Sequence, residues 1–180
     1  MNLILFGPPG AGKGTQADNL VKHYNLHKIS TGDLLRDEIN KKTELGKYIK
    51  NIIDKGSFVS DEIINNLIVK ILENKKYYNK LVFDGYPRNL FQAKELDSLI
   101  GKYNQKISCV LSLKVDDEHI KKRYDDNEEI IANRIDTYVK KTLPILDYYK
   151  EQKLLHEVNG IMKIDKIFEQ IQGIIGSLET

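Results

Sequence analysis

The sequence has no tryptophan, a single cysteine and no long apolar run. One cysteine excludes a disulfide framework or a cysteine metal site within one chain. Cys109 lies in the apolar run 107–113, where we expect a buried, unreactive thiol. No apolar run approaches the length of a membrane span. The tyrosines are scattered, and without tryptophan they form no platform on which nucleic-acid bases would stack.

Charge of neither sign dominates the chain. The 28 basic and 26 acidic residues give a net charge of +2, so neither nucleic acid nor a membrane surface is an expected partner. The four histidines show no spacing typical of metal ligands. We expect no signal peptide, because the apolar N-terminus forms the first strand and the turn after it. These features favour a cytoplasmic protein, and a monomer is the default expectation.

The arrangement of apolar segments predicts an α/β fold in a single domain over 1–180. Short apolar runs predict strands, and helical patterns separate them; the runs are 2–6, 27–30, 80–84, 107–115 and 154–158. This alternation favours a parallel sheet with helices on both faces, and ligands of such sheets bind at the carboxyl ends of the strands. Gly46 predicts a break between two short helices, and Pro144 predicts a kink or restart in a long one.

A glycine-rich turn, GPPGAGKGT at 7–15, follows the first predicted strand. Gly7 and Gly12 are five residues apart and Lys13 follows, which is the spacing of a phosphate-binding P-loop. Glycines let several backbone N–H groups wrap around a polyphosphate, and the following helix adds its positive N-terminal end. The strict motif has Ser or Thr directly after the lysine, whereas Gly14 here precedes Thr15. A plain glycine turn is the alternative, but strand, turn, lysine and helix together favour phosphate binding.

Charged side chains recur where other predicted strands end. Arg36 and Arg88 follow two of these strands and suggest a second anion site facing the P-loop, because a guanidinium group matches phosphate oxygens in pairs. Each arginine alone would more often be a solvated or salt-bridged surface residue, but the P-loop beside them favours the anion site. Asp84 could hold a metal ion through water, pair with Lys13 or an arginine, or start a turn. Arg134 lies beside an apolar stripe, and its head could reach inward or its stem could cover that surface.

Four segments resemble the nucleoside monophosphate kinases, and the adenylate kinase family in particular. Three segments are similar to that family's signatures: the P-loop at 7–15, STGDLLRDEI at 30–39 and FDGYPRNLFQA at 83–93. The family's C-terminal pattern is similar to DDNEE at 125–129 together with Arg134 and Tyr138. The resemblance implies a P-loop kinase core with a five-stranded parallel sheet and a small helical AMP-binding subdomain at 30–59. It also implies the reaction of MgATP and AMP to give two ADP.

The resemblance implies roles for individual residues by position. The ATP side would comprise Gly10, Ala11, Gly12, Lys13, Gly14, Thr15 and Arg123. The AMP side would comprise Thr31, Arg36, Ser57, Phe58, Val59, Gly85, Tyr86, Pro87, Arg88, Gln92 and Arg134, with Gln92 reading the adenine edge and Arg88 binding the phosphate. The catalytic set would be Lys13, Arg36, Arg88, Arg123 and Arg134. Asp84 would hold Mg²⁺ through water, and no structural zinc is expected.

The lid of the family has almost no counterpart in this sequence. Its position collapses to about 123–126, where Arg123 matches two different family arginines, so at least one active-site arginine is missing. Three alternatives stay open. Thr31 favours AMP over the substrates of UMP/CMP kinases, which tend to have alanine there, but a UMP/CMP kinase is the first alternative. A nucleotide-binding protein with weakened catalysis is the second, and an engineered lid deletion would give the same sequence.

Overall fold

A computed structural model of the chain describes residues 1–55, 59–122 and 128–178. The strands are β1 (Asn2–Phe6), β2 (His27–Ser30), β3 (Leu81–Asp84), β4 (Cys109–Lys114) and β5 (Leu155–Asn159). The helices are α1 (Lys13–Tyr24), α2 (Thr31–Asn40), α3 (Glu44–Asp54), α4 (Asp61–Leu72), α5 (Leu90–Lys102), α6 (Asp117–Lys122), α7 (Glu128–Glu151) and α8 (Ile164–Leu178), with a single 3₁₀ turn at Lys75–Tyr77.

The five strands form one sheet in the order β2-β3-β1-β4-β5. All four neighbouring pairs are parallel. The predicted α/β class and five-stranded parallel sheet are therefore confirmed, and each predicted strand agrees with an observed one to within two residues at either end.

Helices cover both faces of the sheet, as the sequence predicts. Along β1, Leu3 and Leu5 pack in the core layer that includes residues of α1 and α8. Ile4 and Phe6 pack in the opposite layer with residues of α4, α5 and α7. Because both faces are buried, β1 is apolar at nearly every position instead of alternating with polar residues.

The strand register brings three strand ends to the same level. Leu5 of β1 and Ser30 of β2 are both paired with Asp84 of β3. The residues that follow these strands therefore lie along one edge of the sheet, namely Gly7, Thr31 and Gly85. The segments with predicted functional roles thus begin side by side.

The break in the polar stretch lies at 41–43, so the prediction of a break at Gly46 is wrong. The Thr43 hydroxyl caps α3 by accepting a hydrogen bond from the Gly46 N–H at 3.0 Å. Gly46 lies inside the first turns of α3, where an added Cβ would come within 2.3 Å of the Glu38 carbonyl oxygen. Glycine at 46 therefore permits close packing of α3 on α2 and does not end a helix.

Helix α7 runs through Pro144 without the restart that the sequence suggested. Proline removes one N–H donor from the helix. Ile145, Leu146 and Tyr149 follow directly and are buried in the core. This apolar packing anchors the segment after Pro144 to the core.

The thiol of Cys109 is buried in β4, as predicted. Burial raises the pKa of the Cys109 thiol to about 12, so the unreactive protonated form predominates at neutral pH. In the described ranges, none of the helices is long and apolar enough to cross a membrane.

We predict opposite effects for two glycine-to-alanine substitutions. Gly46→Ala should destabilise the protein by about 2 kcal/mol, because the new methyl group would meet the backbone of α2. Gly173→Ala, in the interior of α8, where the added Cβ would meet no atom within 4 Å beyond the adjoining backbone of its own helix, should stabilise it by about 0.5–1 kcal/mol. Urea unfolding measures both values. Equal effects of the two substitutions would contradict the packing assigned to Gly46.

Candidate functional site

The turn between β1 and α1 has the wrapped backbone that the P-loop spacing predicts. Gly10 and Gly12 have φ angles of 77° and 88°, a region that residues with side chains rarely adopt. The Ala11 N–H donates to the Pro8 carbonyl at 3.1 Å and closes the turn. Gly12 caps α1, so the first N–H groups of that helix adjoin the turn.

The Lys13 ammonium group is held inside this turn by hydrogen bonds to the backbone. Its Nζ donates to the carbonyl oxygens of Gly7 at 2.8 Å and Pro8 at 3.0 Å. Burial lowers the pKa of Lys13, the negative charge of Asp84 opposes that shift, and the positive charge of Arg88 adds to it. An ammonium group has three donors, so one N–H remains for a further acceptor.

Asp84 ends β3 next to the same turn. A Cβ added at Gly14 would come within 3.9 Å of Asp84 Oδ2, so the carboxylate faces the first turn of α1. Burial raises the pKa of Asp84, while the charges of Lys13 and Lys28 act in the opposite direction. Within the described part of the chain, no group of three or more His, Cys, Asp or Glu side chains could hold a metal ion. A single carboxylate oxygen does suit Mg²⁺, which usually keeps several waters and binds through one or two carboxylates and substrate phosphates.

A cavity of about 910 Å³ opens at this edge of the sheet. It is lined by the glycine-rich turn, the starts of α2 and α4, the turn between β3 and α5, and α7. It brings together residues that the sequence assigned to both nucleotides: Lys13, Thr31, Val59, Gly85, Tyr86, Pro87, Arg88 and Gln92. The lining thus combines cationic groups with apolar surface in one concave site.

Arg88 is held at the wall of this cavity by two hydrogen bonds. Its Nε donates to the Gly85 carbonyl at 2.9 Å, and its Nη2 donates to Thr31 Oγ1 at 3.3 Å. These contacts join the turn after β3 to the start of α2. A guanidinium group has five N–H donors, so three remain for a ligand.

The Tyr86 ring is fully buried below the turn that carries Arg88. Its hydroxyl donates to Asn65 Oδ1 of α4 at 3.0 Å, and burial raises the pKa of Tyr86. The tyrosine therefore fastens the turn to α4 through its hydroxyl.

Gln92 is bonded at both ends of its side-chain amide. Its Oε1 accepts from the Arg88 backbone N–H at 2.7 Å, and its Nε2 donates to Asp61 Oδ1 at 2.6 Å. The side chain is only 6% exposed, yet it lines the cavity. The amide is consequently fixed in one orientation.

Arg36 does not line the cavity. Its Nη2 donates to the Asp33 carboxylate one turn earlier in α2, and this hydrogen bond is the main cause that lowers the pKa of Asp33. Its guanidinium also lies over Gly32, which is a cavity-lining residue, since a Cβ there would be 3.2 Å from Arg36 Nη1. The group stands beside the cavity mouth, and its phosphate-binding role stays a prediction.

Several predicted site residues cannot be placed by their side chains. The described residues do not include Ser57, Phe58 or Arg123. They also do not include the collapsed lid position at 123–126. Arg134 belongs to α7, but its side chain also lies outside the described part. The roles assigned to these residues therefore stay predictions.

Two charged residues that line the cavity, Asp61 and Lys141, were not among the predicted site residues. Asp61 lines the cavity from the first position of α4. Lys141 shares its helix face with Tyr138 and Thr142, which also line the cavity. Lys141 and Thr142 follow Tyr138 by three and four residues and so lie on the same side of α7, but only the packing of α7 shows that this side faces the cavity.

The fold and this site define a P-loop protein of the α/β kinase type. The sequence model of the family described as adenylate kinase matches residues 5–154. The chain is 41% identical over 211 aligned positions to an adenylate kinase of Pelagibacter ubique, covering 97% of this chain and 99% of that protein. It is 42% identical over 180 positions to one of Prochlorococcus marinus, covering 97% and 98%. The chain belongs to the adenylate kinase family and is an enzyme of that family.

We predict that Asp84→Asn stabilises the fold near neutral pH. The raised pKa means that the folded state favours the protonated carboxyl, so the wild-type protein loses stability as pH rises from below about 4 through the raised pKa. An uncharged amide avoids that loss. Urea unfolding at about pH 4 and about pH 7 should show the gain growing with pH.

The exposed Asp147 provides the matched control for this substitution. Asp147→Asn should change the free energy of unfolding little at either pH. A variant Asp84→Asn that is less stable than the wild type at neutral pH would contradict the balance of burial and charge described for this carboxyl.

Proposed function

We propose that this chain catalyses the reversible transfer of a phosphoryl group from MgATP to AMP, giving two ADP. The observation that carries the proposal is the single cavity in which the Lys13 turn faces the Arg88–Thr31 pair and Gln92. One phosphate-binding element stands on each side, as a transfer between two nucleotides requires. The relatives named above are adenylate kinases, which supports the same reaction.

On the ATP side, residues 10–15 bind the phosphates. The positive φ of Gly10 and Gly12 curves the backbone, and N–H groups of such a turn and helix start bind anions. The third N–H of Lys13 then meets a phosphate oxygen, while the two carbonyl contacts keep the ammonium in position. Asp84 holds the Mg²⁺ that arrives with ATP through its water shell.

On the AMP side, the three unused N–H groups of Arg88 bind the phosphate and the Gln92 amide reads the adenine edge. Thr31 and Gly85 hold the Arg88 guanidinium in place. Residues 30–59 act as the AMP-binding subdomain, to which Arg36, Ser57, Phe58 and Val59 contribute. When AMP binds, the Arg36 guanidinium leaves its hydrogen bond to the Asp33 carboxylate and binds the AMP phosphate instead.

Catalysis on this site relies on position and charge. Phosphoryl transfer requires the two reacting oxygens in line with the transferred group and stabilisation of its equatorial oxygens. Lys13 and Arg88 converge on one cavity, and Arg36, Arg123 and Arg134 complete the positive set. Bound Mg²⁺ neutralises part of the phosphate charge.

A short lid distinguishes this enzyme from longer relatives. The alignment with the Pelagibacter ubique protein has 211 positions, more than the 180 residues of this chain, so that relative carries residues that this chain lacks. We assign this difference to the lid, where Arg123 takes one of two arginine positions. Lys141, on the cavity face of α7, supplies part of the missing positive charge.

The nucleotide specificity is tested by an assay of nucleoside diphosphate formation from MgATP with AMP, UMP or CMP. We predict ADP formation with AMP and at least about 100-fold lower kcat/KM with the pyrimidines. Lys13→Met should lower kcat by about 100-fold or more. Comparable activity with UMP or CMP would favour a pyrimidine kinase, and ATP binding without transfer would favour a protein with weakened catalysis.

The role of Lys141 is tested against its neighbour Lys140. Lys141→Ala should lower kcat/KM about tenfold, because a charged hydrogen bond to phosphate is lost. Lys140→Ala should have little effect, because Lys140 pairs with Asp136 at 2.8 Å on the surface of the same helix. Steady-state kinetics with MgATP and AMP measure both effects. Equal kinetics for the two variants would exclude Lys141 from the phosphate site.

A cytoplasmic location and a monomeric state complete the proposal. The location is the expectation stated from the sequence above, and a monomer is the default for a single-domain pattern. Sedimentation of the purified protein tests the monomeric state.

A further inference from the structure

The Asp61–Gln92 pair carries an inference about base specificity. Asp61 occupies the first position of α4, and Gln92 lies in the first turn of α5. Their side chains meet at 2.6 Å beside the cavity that both residues line. We propose that Asp61 is a specificity-determining residue, which fixes the Gln92 amide so that it accepts adenine and rejects 6-oxopurines. The inference rests on the proposed reading of adenine by Gln92.

The two partners of Gln92 determine which end of its amide is oxygen and which is nitrogen. A backbone N–H only donates, so the atom 2.7 Å from the Arg88 nitrogen must be the acceptor Oε1. A carboxylate only accepts, so the atom 2.6 Å from Asp61 Oδ1 must be the donor Nε2. A rotation of the amide by half a turn would place two donors together at Arg88 and two acceptors together at Asp61.

This fixed orientation has a direct chemical consequence. After these two bonds, the amide retains one N–H and one oxygen lone pair. An adenine edge offers an acceptor at N1 and a donor at the 6-amino group, and it pairs with an amide in one orientation. A 6-oxopurine offers a donor at N1 and an acceptor at O6, and it pairs only with the rotated amide. A Gln92 amide that could rotate would pair with either kind of purine, whereas an amide held in one orientation pairs with adenine only.

Arg88 links base recognition by Gln92 to phosphate binding. Its backbone N–H restrains the base-reading amide, while its side chain is held by Thr31 and Gly85. Base recognition and phosphate binding thus share one short turn. Asp61 completes the restraint from a different element, since α4 is separated from α5 by β3 in the sequence.

The test compares AMP with inosine monophosphate, which differs from it only at the 6-position and N1 of the purine. The quantity measured is the ratio of kcat/KM for AMP to that for inosine monophosphate, with MgATP as donor. Asp61→Asn keeps the shape of the side chain but can donate or accept, so it removes the clash of the rotated amide at this end and leaves only the one at the Arg88 N–H. We expect this ratio to fall about tenfold, because the restraint is a hydrogen bond to a charged group. A general structural defect would lower both activities and leave the ratio unchanged.

Two control variants separate the possible outcomes. Glu62→Gln removes a negative charge from the same turn of α4 at an exposed position and should leave the ratio unchanged. Gln92→Leu removes the amide and should abolish most of the discrimination. If Asp61→Asn does not fold, Asp61→Ser serves in its place, because a hydroxyl also donates or accepts.

Each other result overturns the inference in a distinguishable way. An unchanged ratio for Asp61→Asn together with a collapsed ratio for Gln92→Leu would show that Gln92 reads the base without help from Asp61. An unchanged ratio for Gln92→Leu would overturn the reading of adenine by Gln92, while phosphorylation of AMP would still stand. Equal falls for Asp61→Asn and Glu62→Gln would assign the effect to helix charge alone.

Discussion

The parallel register of β1, β2 and β3 is the constraint on which the site depends. Pairing of Leu5 and Ser30 with Asp84 ends the three strands at one level. Burial of the sheet on both faces fixes that register, because the apolar residues of β1 and β3 are divided between two core layers. The glycine-rich turn, the start of α2 and the Arg88 turn consequently open into the same cavity.

Within that frame, charged groups are held by the backbone as well as by one another. Lys13 is bonded to two carbonyls of its own turn, and Arg88 to the Gly85 carbonyl and Thr31. Burial works against the charged forms of Lys13 and Asp84, and their mutual attraction offsets part of that cost. The site is thus organised before a ligand binds, which is the arrangement that electrostatic catalysis requires.

The sequence predicted the strands and the P-loop because local patterns determine them. Short apolar runs between glycine turns identify buried strands, and the spacing of Gly7, Gly12 and Lys13 has one main structural meaning. Gly46 was misinterpreted, since its reason is the approach of α3 to the Glu38 carbonyl, a contact that no local pattern reveals. Asp61 and Lys141 were missed for the same reason: only the packing of α4 and α7 brings them to the cavity.

The central claim is that one cavity binds both nucleotides for direct transfer. Titration calorimetry with a bisubstrate analogue, two adenosines joined through five phosphates, tests it most directly. We predict a single site per chain and an affinity at least about 100-fold higher than that of ATP alone, because one molecule would occupy both sides of the cavity. An affinity no higher than that of ATP, or two molecules bound per chain, would contradict the account.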